Sequence, residues 1–190
     1  MKFKICNLSF EYFKGQKLIE HFNFESDSRL IGVIGKNGCG KSTLFKLISG
    51  ELTPDSGFVI KEGRVYRSIY DFHYYNKFTI NELLILLRKL QSFDLSNLMN
   101  YIKGLNIEKF LDEELGNLSQ GTYKKVGLLL SFLSVSELLL LDEPFESIDL
   151  QTREFIINTI IESNRNIMLI DHDIDVVKRI CPTIINFDLW

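Results

Sequence analysis

Residues 29–50 read RLIGVIGKNGCGKSTLFKLISG: an apolar run, a glycine-rich bend and a stretch of helical spacing in direct succession. LIGVI carries no polar residue, as expected of a strand buried on both faces. From Lys41 the apolar residues move to helical spacing and stop at Gly50, which predicts a helix closed by a glycine cap. Between the two, Gly35, Lys36, Asn37, Gly38, Cys39, Gly40, Lys41, Ser42 and Thr43 fit the phosphate-loop pattern G-x-x-x-x-G-K-[ST]. The glycines permit backbone conformations that a Cβ would oppose. Successive N–H groups can then converge on phosphate oxygens at a helix N-terminus, where the helix dipole adds positive potential. Lys41 has the reach for β- and γ-phosphates, and the Ser42 hydroxyl suits Mg²⁺. Cys39, between two loop glycines, reads as a small residue rather than a catalytic thiol.

Upstream, FKICNLSFEYF and LIEHFNFE read as strands joined by a turn at residues 14–16. Downstream, SGFVIKEGRVYRSIY reads as two more strands around the Glu62–Gly63 turn. From Thr79 to about Ser134 the pattern is helical. TINELLILLRKLQ opens with a capping box, Thr79 followed by Glu82, and NIEKFLDEEL and QGTYKKVGLLLSFLS continue it. The last third alternates apolar runs with helical ones, a βαβ rhythm that predicts a parallel sheet covered by helices. The expected architecture is α/β, with an antiparallel strand group before the core and a helical subdomain, about residues 79–134, inserted in it.

Two of the late apolar runs end in acids. LLLLDEP places Asp142 and Glu143 at the carboxyl end of a buried strand, where open α/β folds bind ligands. Asp142 there suits Mg²⁺, directly or through water, and Glu143 suits orienting and deprotonating an attacking water. NIMLIDHD ends the next run with His172 between two aspartates. A histidine after a strand is ordinarily a polar loop residue, and His21 and His73 are read that way.

A net charge of −3 directs no broad field toward nucleic acid or an anionic membrane. The three cysteines, Cys6, Cys39 and Cys181, are widely separated and form no C-x-x-C pair, so reduced thiols in a cytosolic setting are expected. The opening MKFKICNLSFEYFK lacks a signal-peptide plan, and LLILL and VGLLLSFLSV fall short of a membrane span. The expectation is one domain, residues 1–190, that does not cross a bilayer by itself.

Read together, these segments resemble the nucleotide-binding cassette of ABC ATPases, a P-loop NTPase family, over essentially the whole chain. LSQGTYKKV, residues 118–126, resembles that family's signature, at the usual distance ahead of LLLLDEP. FESIDL resembles the D-loop, with Asp149 as its acid, and LIDHD the switch-histidine segment. The resemblance implies an ATP hydrolase dependent on ATP and Mg²⁺. Glu143 and His172 would be catalytic, and Ser42 and Asp142 would hold the metal. Tyr12 is placed like the aromatic that stacks on adenine, with Phe13 nearly as good a candidate. It further implies a head-to-tail dimer with a second cassette, homo- or heterodimeric, in which Ser119 and the Gly121 amide contact the γ-phosphate of the partner's nucleotide, with Asp149 also among the nucleotide-binding residues. Docking on separate integral membrane subunits would place the chain on the inner face of the cell membrane, with no nucleic acid partner.

Two departures stand out. The signature reads Ser-Gln-Gly-Thr instead of the commonest Ser-Gly-Gly-Gln, a form similar to that of ABC-2-type exporters, so export is the expected direction. No glutamine occurs in SIYDFHYYNKFTINELL, where the Q-loop belongs; the chain has glutamine only at 16, 91, 120 and 151. Asp71, His73 or Asn76 would have to substitute. The competing expectations are an ABC-type ATPase acting on ribosomes or DNA, and an ATP-sensing cassette with little hydrolysis.

Overall fold

The computed structural model describes residues 3–71, 73–90 and 92–189. In chain order its strands and helices begin with β1 (Phe3–Phe13), β2 (Gln16–Ser26), β3 (Leu30–Ile34), α1 (Lys41–Ser49), β4 (Ser56–Ile60), β5 (Val65–Arg67), α2 (Ile80–Leu87) and α3 (Leu98–Gly104). They continue with α4 (Gln120–Leu133), β6 (Leu138–Asp142), α5 (Leu150–Glu162), β7 (Asn166–Ile170), α6 (Ile174–Ile180) and β8 (Thr183–Asn186). These form two compact units: Met1–Arg67 with Glu137–Glu143 and Asn164–Trp190, and Ser68–Ser136 with Pro144–Ser163. Among the described residues no helix is long and apolar enough to cross a membrane.

The first unit holds both sheets. One is antiparallel, ordered β2-β1-β4; the other is parallel, ordered β5-β6-β7-β3-β8. Their core joins Ile5, Leu8 and Phe22 of the antiparallel sheet to Val33, Leu140, Met168 and Ile170 of the parallel one, with Leu44, Phe45 and Ile48 of α1 in the same cluster. Each such side chain contributes about 1.5–3 kcal/mol by leaving water. All five residues of β3 are buried, which explains why its sequence does not alternate. At Gly32 the backbone runs so close to its neighbours that a Cβ would overlap Val177 Cγ1 and lie 2.7 Å from Ile184 Cδ1.

SGFVIKEGRVYR supplies the two expected strands around the Glu62–Gly63 turn, and they do not pair with each other: β4 joins β1, and β5 joins β6 at the edge of the parallel sheet. The cause lies at Glu137. Its carboxylate accepts the Arg64 N–H at 2.6 Å, and its own N–H donates to the Arg64 carbonyl at 3.0 Å. The chain leaving the Glu62–Gly63 turn is thereby fastened to the start of β6.

The second unit is helical. Thr79 caps α2 in a full capping box: its hydroxyl accepts the Glu82 N–H and the Glu82 carboxylate accepts the Thr79 N–H. The helix is shorter than its sequence pattern. Lys89 and Leu90 donate three residues back, and the chain then bonds to residues 133–135 through Asp94 and Val135; Gln91 lies outside the described residues. NIEKFLDEEL, expected to be helical, forms only 3₁₀ turns at Glu108–Phe110 and Leu115–Asn117. Its backbone groups go elsewhere: Leu115 N–H donates to Phe78, Gly116 N–H to Asn76, and the Leu111 carbonyl accepts from Asn81. Tight turns bonded three residues back, together with these bonds to another segment, take the place of the helical ladder.

Candidate active site

β3 delivers the chain into the glycine loop, and α1 begins immediately after it. Gly40, the residue before α1, has φ 106°, and a Cβ on it would press on Leu18 and Phe187 at 3.2 and 3.3 Å. Only glycine fits that bend without strain. Lys36, Asn37 and Gly38 are exposed, Gly35 and Cys39 half-buried. Lys41 is 6% exposed, and its Nζ donates to the Gly35 and Lys36 carbonyls, both at 2.8 Å. The ammonium is therefore held inside the curl of the loop, beside first-turn amides that have no partner within the helix. That arrangement is a cradle for an anion. Thr43 is buried, and its Oγ1 lies 3.2 Å from the Tyr12 hydroxyl. Tyr12 packs edge-on against Phe10, with 51% of its surface exposed, whereas Phe13 is 71% exposed. The bond from Tyr12 to α1 distinguishes the two aromatics.

β6 and β3 flank β7 in the parallel sheet, so three neighbouring strands present their carboxyl ends together. Asp142 ends β6 half-buried, paired with Ile170. Glu143 follows in the left-handed region at φ 53°, with its N–H donating to the Ile170 carbonyl at 2.7 Å. This turn brings the Glu143 carboxylate to His172: Oε1 and Nε2 are 2.8 Å apart. The aspartates on either side of His172 have local duties. Asp171 accepts the Asp173 N–H, and Asp173 caps α6 by accepting the Val176 N–H. His172 is the exposed member of the three and the one that faces a carboxylate.

Ser42 and Asp142 are hard oxygen donors of the kind Mg²⁺ takes. Among the described residues no group of three or more His, Cys, Asp or Glu side chains could hold a metal. If Ser42 and Asp142 hold Mg²⁺, its remaining ligands would be phosphate oxygens and water, as is usual for this ion. The donor set and the phosphate-shaped loop fit Mg²⁺ carried by a nucleotide.

The remaining expected residues lie in the helical unit. Ser119 caps α4, its Oγ accepting the Thr122 N–H at 3.2 Å. Gly121 is half-buried beneath the backbone of residue 147: a Cβ there would be 2.9 Å from the Ser147 carbonyl oxygen. Asp149 caps α5, accepting from the Thr152 N–H and hydroxyl, both at 2.9 Å. It also accepts from Lys125 Nζ at 2.6 Å, and this ammonium holds the Asp149 carboxyl well below the usual carboxylate range. Lys124 pairs with Glu146 at 3.1 Å and sits over the Tyr70 ring. Two consecutive lysines of α4 therefore fasten residues 146–149. Sequence reasoning passed over them, although adjacent lysines in an otherwise apolar helix were the available signal.

Of the candidates to replace the Q-loop glutamine, Asp71 and His73 pair with each other at 2.8 Å, and the histidine holds the Asp71 carboxyl below its ordinary value. The Asn76 carbonyl accepts from Gly116, and its side chain from Tyr123. Phe72, in the same segment, lies outside the described residues. Sequence reasoning also missed Asp188, whose carboxylate accepts the Lys36 N–H at 2.8 Å.

A protein-family model described as "ABC transporter" matches residues 21–146. ABC transporter ATP-binding protein ARB1 of Saccharomyces cerevisiae is 30% identical over 94% of this chain, which spans 30% of that protein. ABC transporter ATP-binding protein YtrB of Bacillus subtilis is 29% identical over 82% of the chain and 58% of its own length. Zinc import ATP-binding protein ZnuC of Wigglesworthia glossinidia brevipalpis is 29% identical over 91% of the chain and 78% of its own length. Several of these relatives are thus much longer than the part they share. Among solved structures, an ATP binding subunit of an ABC transporter aligns with TM-score 0.85 and 22% identity over 98% of this chain and 85% of its own. A bacterial Atm1-family ABC exporter with ATP bound aligns with TM-score 0.81 and 20% identity over 97% of this chain and 37% of its own.

Proposed function

Because the chain belongs to the ABC transporter family, whose ATP-binding cassettes hydrolyse ATP, we propose that it binds and cleaves ATP to drive movement of a docked membrane partner. The observation that carries this reading is the contact between Glu143 and His172, which follow β6 and β7; β7 is the strand beside β3, which feeds the glycine loop. Lys41 and the loop amides would hold the β- and γ-phosphates, with Tyr12 against the adenine. Ser42 and Asp142 would hold Mg²⁺, which supplies positive charge against the phosphate oxygens. Glu143 would orient and deprotonate the attacking water, while His172 fixes the Glu143 carboxylate and offers a donor to the γ-phosphate.

In this reading Ser119, Gly121 and Asp149 serve the nucleotide of a second cassette, and about residues 79–134 form the helical subdomain. Membrane subunits receive the motion. We place the chain with exporters on the form of its signature, Ser119-Gln120-Gly121-Thr122; ZnuC, by its name, serves import. Isothermal calorimetry with Mg²⁺ and ATP tests the core of the proposal. Wild-type protein should bind, and Lys41→Ala should weaken binding by at least about tenfold, as removal of a charged hydrogen-bond donor does. Glu143→Gln should retain ATP and stop turnover in the assembled complex; an unchanged rate would remove Glu143 from its role. Membrane proteins copurifying with the chain support transport, and ribosomal RNA or DNA in their place would overturn it.

One observation favours a second reading, an ATP sensor with little hydrolysis: residues 68–84 contain no glutamine, and Asp71 and His73 are engaged with each other. A turnover rate near the uncatalysed background in the assembled complex would select it.

A further inference from the structure

The turn at Phe187–Leu189, which follows β8, closes on the glycine loop from a sequence distance of about 150 residues. Phe187 is 5% exposed, its ring tilted against Phe22 at 5.3 Å. It lies where a Cβ on either Gly35 or Gly40 would touch it, at 3.1 and 3.3 Å. Next to it, Asp188 accepts the Lys36 N–H through Oδ1 at 2.8 Å, while its own N–H donates to Asn186 Oδ1 at 3.1 Å. The Gly35–Lys36 stretch is therefore held from two directions. Its carbonyls accept from Lys41 on one side, and its amide donates to Asp188 on the other.

We propose that Asp188 is a positioning residue for the phosphate loop: its carboxylate fixes the Lys36 peptide, and with it the two carbonyls that seat the Lys41 ammonium. The physical argument turns on which property of Asp188 matters. As an acceptor it adds order to a loop whose Gly35 and Lys36 carbonyls are held by Lys41 and the Cys39 N–H, so binding costs less conformational entropy. As a charge it opposes an incoming anion, and the exposure of both residues screens that repulsion. The acceptor role therefore dominates. An asparagine, which keeps a carbonyl oxygen and loses the charge, should preserve the function, whereas an alanine should not.

This inference rests on the ATP reading for its consequence but not for its contact, and the experiment separates the two. Exchange of the Lys36 amide with deuterium, followed by NMR on nucleotide-free protein, reads the contact directly. Asp188→Ala should speed that exchange about tenfold, the loss expected for one hydrogen bond to a charged acceptor, and Asp188→Asn should restore protection. Calorimetry with Mg²⁺ and ATP then reads the consequence: affinity falls roughly fivefold to tenfold in Asp188→Ala and recovers in Asp188→Asn. Unchanged Lys36 exchange in Asp188→Ala overturns the proposal, as does faster exchange with unaltered affinity. If wild-type protein binds no ATP while exchange still separates the two variants, the nucleotide reading fails and the loop contact stands.

Discussion

Replacing Gly32 by alanine tests how β3 is held, and its cost can be worked out from the neighbours. The added methyl would overlap Val177 Cγ1 on α6, approach Ile184 Cδ1 on β8 to 2.7 Å and Cys181 Cβ to 3.3 Å. The isoleucine tip can swing aside, but Val177 is β-branched within a helix and has one favoured rotamer. The helix itself must therefore shift. Overpacking of this kind costs about 1–3 kcal/mol. Glycine-to-alanine replacement offsets about 0.4–1 kcal/mol of that by restricting the unfolded chain. The net expectation is a loss of about 1–2 kcal/mol, or roughly 2–8 °C in Tm for a chain of this size. Urea denaturation followed by circular dichroism measures it. Val177→Ala alone should also destabilise, by about 2 kcal/mol, through its lost methyl groups and the cavity they leave. In the double variant the two defects compensate, so its loss should fall short of the sum by at least about 1 kcal/mol. A neutral Gly32→Ala, or strictly additive losses, would refute the close approach of β3, α6 and β8.

Thr79→Ala removes half of the capping box and should lower stability by about 1 kcal/mol in the same assay, with faster exchange at the Glu82 amide. Lys125→Met withdraws the ammonium that depresses Asp149. An acid with a lowered folded pKa contributes stability above its unfolded value and loses it as pH falls below about 4. The wild type should therefore lose up to about 1 kcal/mol more than Lys125→Met between pH 5 and pH 2, since solvent at the exposed Asp149 carboxylate screens the pair. Burial pushes the Cys181 thiol from 9.0 up to about 12. With the folded value raised, its contribution is whole below pH 9 and fades as pH climbs toward 12. At pH 8 iodoacetamide should consequently modify Cys6 and Cys39 well before Cys181, as mass spectrometry of peptides would show.

The α/β fold was legible because its strongest signals are local. LIGVI and LLLL could be read as buried strands from composition alone, and Gly50 and the Thr79–Glu82 pair marked helix ends through chemistry confined to one turn. What could not be read was decided by bonds between distant residues. GRVYR follows a turn like the second half of a hairpin, but Glu137 draws it to another strand. NIEKFLDEEL has helical spacing, yet its Leu115 amide donates to Phe78, its Leu111 carbonyl accepts from Asn81, and the next amide, Gly116, donates to Asn76. At the candidate site, residue types and order announced the loop, the acids and His172. The 2.8 Å approach of Glu143 to His172 depends on a backbone turn that no motif specifies, and the grip of Asp188 on Lys36 depends on tertiary structure alone.

Glutamate is an uncommon occupant of the left-handed region, and holding it there at position 143 costs on the order of 1 kcal/mol or more. Glycine or asparagine would adopt the same bend with less strain. A screen that rewards heat tolerance alone should therefore enrich both at this position, and the hardier protein it returns would have lost the very group facing His172. If Glu143 has its proposed role, thermal robustness and turnover are set against each other at a single backbone angle.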